Sequence, residues 1–141
     1  MHSGLPKIWR YAHQVPIVAA WVFLAGAGLW GFIAPPMSIA GQQPTWVTLT
    51  GAVLTTVGGF LSIYGAVRVL YWTEAVGALF VATGFSAYLL TVWALVGTGG
   101  AGRGVQAMTL TALILFMLGR AAACGVYAHR VRRAHSEPPE L

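Results

Sequence analysis

The chain has 141 residues, of which 57% are hydrophobic and only 8% carry a charge. A soluble domain of this size usually carries about 25% charged residues, and one with so few would expose large apolar surfaces to water. The net charge of +5 does not indicate nucleic-acid binding, because the basic residues are scattered between hydrophobic segments and form no patch. Composition therefore favours a single domain embedded in a membrane.

Four stretches of the sequence are long and apolar enough to cross a bilayer, which takes about 20 apolar residues. They comprise residues 15–34, 46–67, 75–96 and 105–127, and the first three contain no charged residue. Because the runs are continuous and not alternating, we expect helices and not strands. The prediction is an all-α fold, a four-transmembrane-helix bundle over residues 1–130. A disordered tail, first basic and then containing Pro and Glu, is expected over residues 131–141.

The segments between the predicted spans carry turn and capping signals. Pro35 and Pro36 end the first span, and a loop without charges follows. Thr73 is a candidate N-cap of the third helix, with Glu74 in the first turn, where an acidic side chain favours the helix dipole. Residues 97–104 are Gly-rich, but no Lys-Ser/Thr follows them and no strand precedes them. They therefore indicate a flexible linker and not a phosphate-binding loop.

The distribution of basic residues predicts how the chain is oriented, since Lys and Arg in short loops stay on the cytoplasmic side. With four spans, the N-terminus, the second link and the C-terminus share one side, and the opposite side has only Arg103. Both termini are therefore expected in the cytoplasm. The basic residues on that side are Lys7, Arg10, Arg68, Arg130, Arg132 and Arg133, of which the last three are expected to contact anionic lipid headgroups.

Small residues recur every four positions in the second predicted span, at Gly58, Ser62 and Ala66. The third span has Gly77 and Gly84, seven residues apart. In lipid, helices associate where small side chains let their backbones approach each other. We therefore predict that these five residues are helix-packing positions. The sequence leaves open whether they pack within one chain or between copies of it.

Arg120 is the one charged residue inside a predicted span, seven residues from its end, and Glu74 is the one acidic residue outside the tail. An arginine at membrane depth is unfavourable unless it snorkels, pairs or faces water. Both residues lie towards the expected cytoplasmic side, so we predict a Glu74–Arg120 ion pair that joins the third helix to the fourth. Arg68 is the competing partner. Snorkelling of Arg120 and a pore-lining or proton-relay role stay open as alternatives.

The sequence has no signature of catalysis, cofactor binding or metal binding. It contains no Asp, so a Ser-His-Asp arrangement is absent, and its one cysteine is Cys124. His2, His13, His129 and His135 all lie away from the middle of the predicted spans, which argues against a bis-histidine haem site between helices. We therefore expect a protein that is not an enzyme and that has no cofactor.

Several positions of residues 58–133 follow a recognisable layout: Gly58, Gly59, Trp72, Glu74, Gly77, Gly84, Tyr88, Arg103, Gln106 and Arg120, followed by a basic ending. This layout resembles small four-span membrane proteins encoded by bacteriophages and prophages of actinobacteria, which are often labelled holin-like. Ala75 stands where those proteins often have an arginine.

The resemblance implies a protein of the bacterial cytoplasmic (inner) membrane that self-associates and removes the permeability barrier. Its partners would be the lipid bilayer and copies of itself, with no nucleic acid. One alternative is a non-pore membrane partner or regulator of another membrane protein, such as a superinfection-exclusion protein. Another is a small dimeric transporter, although the sequence lacks the carboxylate deep in the membrane that proton coupling would use.

Overall fold

A computed structural model describes residues 7–34, 41–98 and 102–136, with the side chains of residues 14–34, 41–98 and 102–133. These parts form four α-helices and no strand: α1 (Lys7–Ile33), α2 (Thr45–Arg68), α3 (Tyr71–Val96) and α4 (Arg103–Ser136). Each helix is long and apolar enough to cross a membrane, as in a multi-pass membrane protein. The all-helical fold predicted from the sequence is thereby confirmed.

Three helix boundaries differ from the predicted spans by four residues or more, since α1 begins at Lys7, α3 begins at Tyr71 and α4 ends at Ser136. The N-cap position of α3 is Leu70 and has no side-chain hydrogen bond, so the predicted cap by Thr73 is wrong. α4 continues to Ser136, so residues 131–136 are helical where a disordered tail was expected. This extension contains no Gly or Pro, and three of its six residues are Arg or Ala, which favour helix. The segments that lie outside the described residues include Pro35, Pro36, residues 99–101 and residues 137–141.

The link between α2 and α3 is closed by backbone hydrogen bonds. The Leu70 N–H donates to the carbonyl oxygen of Gly65 at 2.8 Å, and Val69 takes a left-handed conformation with a φ of 57°. This arrangement ends α2. The N–H of Glu74 then donates to the carbonyl oxygen of Leu70 at 3.1 Å, so α3 begins at once. Thr73 is already inside the helix for that reason.

The helices pack in chain order, with α2 against α1 and α3, and α3 against α4. The main buried cluster takes Trp21 from α1, Ala66 from α2, Val81 from α3, and Met117 and Cys124 from α4. The backbones of α1 and α4 stay apart, so these two helices are the outer helices of the bundle. Their arrangement leaves a groove between them.

The small residues of α2 and α3 pack against each other within the chain. A Cβ atom at Gly58 would lie 2.6 Å from the carbonyl oxygen of Gly77, and one at Gly84 would likewise meet the backbone of α2. Ser62 and Ala66 are buried on α2. The question left open by the sequence is decided for these five residues, because they bring α2 and α3 together in one protomer.

Gly58→Ala is expected to lower the free energy of unfolding by about 1–3 kcal/mol, because the added methyl group overlaps backbone atoms of α3. Gly119→Ala is the matched control, since a Cβ atom there has no neighbour within 4 Å. The control should keep or slightly raise stability through its better helix propensity. Unfolding of detergent-solubilised protein by SDS, followed by far-UV circular dichroism, measures both. Equal effects of the two substitutions would contradict this packing.

Candidate functional site

Glu74, in the first turn of α3, is the centre of the candidate site, and only 2% of the residue is exposed. The backbone of α2 lies directly beside it, since a Cβ atom at Gly65 would be 2.5 Å from the Glu74 nitrogen. Ser62, which is fully buried on α2, donates a long hydrogen bond of 3.5 Å to the main-chain carbonyl of Glu74. A carboxylate buried in this way is very unfavourable unless other groups satisfy its oxygens.

Arg120 on α4 pairs with the buried carboxylate. Its Nε atom donates a hydrogen bond to Glu74 Oε1 over 2.8 Å. The Glu74 side chain is 3% exposed and that of Arg120 is 25% exposed, so the carboxylate lies inside the bundle and the guanidinium lies at its edge. The structure brings together the two residues whose pairing the sequence predicted. Arg68, the predicted competitor, is instead exposed on α2, with its guanidinium carbon 6.0 Å from the centre of the Tyr64 ring.

A further partner of Glu74 was missed by sequence reasoning. The indole N–H of Trp21 on α1 donates to the same Oε1 atom at 3.3 Å, and Trp21 is only 3% exposed. With Ser62 on α2 and Arg120 on α4, Glu74 is therefore contacted from each of the other three helices. The available signal was chemical, because a buried indole N–H needs an acceptor and Glu74 has the only carboxylate side chain of the described residues.

The ion pair lies nearer to the end of the bundle than the position of Arg120 in the sequence suggests. Glu74 is three residues after the start of α3, which is about 5 Å along the helix axis. Aromatic rings surround this level: Tyr71 and Tyr127 have centroids 5.7 Å apart, and Trp72 is 63% exposed. Exposed aromatic residues of this kind are typical of the boundary between lipid tails and headgroups. We therefore place the ion pair near that boundary and not at the membrane centre.

An apolar groove of about 400 Å³ opens between α1 and α4 beside the ion pair. Arg120 is the only charged residue in its lining. The apolar part of the lining comes from both helices and includes Ile17, Ala20, Leu24, Leu113 and Phe116. Because the backbones of α1 and α4 stay apart, this groove faces the surroundings of the bundle.

A larger groove, of about 680 Å³, lies between α1, α2 and α3 towards the other end of the bundle. A hydrogen-bonded polar group stands beside it. The Gln43 amide donates to Thr48 Oγ1 and accepts from Thr91 Oγ1, each over 2.7 Å. The Gln106 amide donates to the Tyr88 hydroxyl and so ties α4 to α3. These bonds fix the helix ends opposite Glu74.

The three arginines expected to contact lipid headgroups, Arg130, Arg132 and Arg133, are exposed on the last turns of α4. They lie at the same end of the bundle as the ion pair. The side chains of Lys7 and Arg10, which belong to the same predicted side, lie outside the described residues. Contact of the arginines with lipid stays a prediction.

No protein-family model matches the chain, and no curated protein or solved structure matches it either. The resemblance to holin-like phage proteins thus stays a prediction from the sequence.

Glu74→Gln and Arg120→Gln, made singly and together, are expected to be non-additive. Each single change leaves one buried or partly buried group without its charged partner, and should lower the free energy of unfolding by about 2 kcal/mol. The double variant should lose less than the sum, with a coupling of about 1 kcal/mol. Unfolding in detergent by SDS measures this energy. Additive losses would show that the pair does not join α3 to α4.

Proposed function

We propose that this chain is a multi-pass protein of the bacterial cytoplasmic membrane that associates with copies of itself and permeabilises that membrane in a holin-like way. The proposal is supported by one observation above all. The small residues of α2 and α3 are used inside the protomer, and on α1 Gly28 and Gly31 pack against α2, whereas Gly26 on α1 and the glycines of α4 have no neighbour. A Cβ atom added at Gly26, Gly119 or Gly125 would meet nothing within 4 Å.

The outward side of α4 has the composition of a helix-association surface. Leu115, Gly119, Ala122 and Val126 are all exposed, and their spacing places them on one side of the helix. The small residues Gly119 and Ala122 lie between the larger Leu115 and Val126. This arrangement allows a second helix to approach closely. Without such a partner, these residues would contact lipid.

The close packing inside the protomer favours permeabilisation at the interfaces between copies over a path through a single chain. Ala78, Val81 and Met117 are fully buried, and the backbones of α2 and α3 lie in direct contact. A water-filled path would have to displace this packing if it ran through a single chain. Permeabilisation is therefore assigned to the interfaces between copies.

Replacing Gly119 tests self-association through the size of one side chain. Gly119→Leu should reduce the oligomer to smaller species, since the new side chain keeps a second helix at a distance, while Gly119→Ala should retain most of the association. Single-molecule photobleaching in lipid vesicles counts the copies. The membrane potential of expressing bacteria, read with a voltage-sensitive dye, should collapse with the parent chain and with Gly119→Ala, but not with Gly119→Leu.

Two results would overturn this proposal. One is a chain that stays monomeric in vesicles at every protein-to-lipid ratio. The other is a normal membrane potential and normal growth at high expression of the parent chain.

The proposal also places both termini in the cytoplasm. It is supported by the exposed arginines at the end of the bundle that carries Glu74, against Arg103 at the other end. Arg103 there binds within the protein, because its guanidinium donates to Thr98 Oγ1 at 2.8 Å and to the Leu95 carbonyl at 3.2 Å.

Thiol labelling tests this orientation. In a Cys124→Ala background, Gln42→Cys and Arg133→Cys each supply one exposed thiol, at opposite ends of the bundle. A membrane-impermeant maleimide should label the cysteine at position 42 in spheroplasts, and the one at position 133 only after permeabilisation. The control is the background protein without cysteine, which should stay unlabelled. The reverse pattern would contradict the proposed orientation.

A non-pore membrane partner is the second candidate function, and the groove of about 680 Å³ between α1, α2 and α3 favours it. Its apolar walls with a few polar groups suit a helix of another membrane protein. Cells expressing such a protein would stay viable and keep their membrane potential while resisting phage DNA entry. The potential measurement described above therefore separates the two candidates.

A further inference from the structure

We propose that the groove between α1 and α4 is a binding site for one phospholipid with an anionic headgroup, whose phosphate contacts Arg120 and whose acyl chain lies along the groove. This inference does not depend on self-association, because every residue that forms the site belongs to one protomer.

Arg120 leaves most of its hydrogen-bond donors unused. A guanidinium has five N–H donors. Within the described part of the chain, the Nε–H bond to Glu74 Oε1 is the one hydrogen bond of this side chain. The two terminal nitrogens therefore keep their donors, and 25% of the side chain is exposed. Phosphate oxygens match the planar arrangement of these donors.

The groove is charged at one end and apolar along the rest of its length. Its lining extends from Pro16 to Leu24 on α1 and from Leu113 to Arg120 on α4, which is about 10–12 Å at 1.5 Å per residue. The charged group stands at the end of the groove near Glu74, and apolar side chains follow towards the middle of both helices. A phospholipid has the same order of groups, with a phosphate at the membrane boundary and a hydrocarbon chain below it.

The free donors of Arg120 favour a lipid over a second copy of this chain as the occupant of the groove. A second copy could fill the groove with apolar side chains, but the free donors of Arg120 also need an acceptor, and a charged one is preferred. Among the described residues, the only carboxylate side chain is that of Glu74, which is buried and already bonded to Arg120 and Trp21. An anionic lipid supplies both the acceptor and the chain.

Native mass spectrometry of the full chain, released from micelles that contain defined lipids, tests the proposal. Phosphatidylglycerol is the anionic probe and phosphatidylcholine the zwitterionic one. The parent chain should retain one phosphatidylglycerol about tenfold more tightly than phosphatidylcholine, because the choline cation of phosphatidylcholine offsets the charge of the phosphate that contacts Arg120. Inorganic phosphate, which lacks the acyl chain, should not displace the lipid at millimolar concentration.

Two alanines on α1 provide a matched pair of variants. Ala20 lines the groove and Ala19 does not, although both are exposed. Ala20→Trp should abolish the retained lipid by filling the groove, while Ala19→Trp should leave it unchanged. Arg120→Lys keeps a cation for Glu74 but removes the planar donors, and should reduce the preference for phosphatidylglycerol at least threefold. Far-UV circular dichroism checks that each variant is folded.

Three outcomes would overturn the proposal. Equal retention of the two lipids by the parent chain would show that the site has no preference for an anionic headgroup. Unchanged lipid retention in Ala20→Trp would show that the lipid binds elsewhere. A loss of oligomers in Ala20→Trp with no change in lipid retention would assign the groove to a second copy. If Arg120→Lys does not fold, the Ala20→Trp and Ala19→Trp pair still decides.

Discussion

A carboxylate buried inside an apolar helical bundle is the constraint on which the rest of this structure depends. Burial of an ionised group without partners is far more unfavourable than any single packing contact can offset. The chain meets this requirement by bringing every helix to Glu74: Arg120 and Trp21 satisfy its carboxylate, and Ser62 contacts its main chain. The relative positions of α1, α3 and α4 are thereby coupled at one point.

Close approach of α2 and α3 makes this arrangement feasible. Glycine at position 65 lets the backbone of α2 lie against Glu74, and the short turn through Val69 and Leu70 sets the two helices side by side. A side chain at position 65 would separate the two helices and expose the carboxylate to lipid. The close packing of small residues is thus what allows the charge of Glu74 to be buried between the helices.

The same ion pair also shapes the surface that the protein presents. Arg120 reaches Glu74 from the edge of the bundle, so its guanidinium has one side on the protein and another on the groove between α1 and α4. That groove exists because the backbones of the outer helices stay apart. The burial of the Glu74 carboxylate and the partial exposure of the Arg120 guanidinium at the groove follow from the same geometry. This connects the stability of the fold with the proposals for lipid binding and self-association.

The sequence by itself determined the four apolar helices, because hydropathy and length are local properties that a membrane constrains strongly. It also predicted the Glu74–Arg120 pair, with Arg68 as a competing partner, because a charged side chain at membrane depth is unfavourable without a partner. It misjudged the start of α3 and the length of α4, where backbone hydrogen bonds and helix propensity prevailed over the expected cap and tail. Only the tertiary structure decided that the small residues of α2 and α3 pack within one chain, that Trp21 joins the ion pair, and that a groove separates α1 from α4. These features depend on which helix faces are neighbours, and no residue spacing within a single helix carries that information.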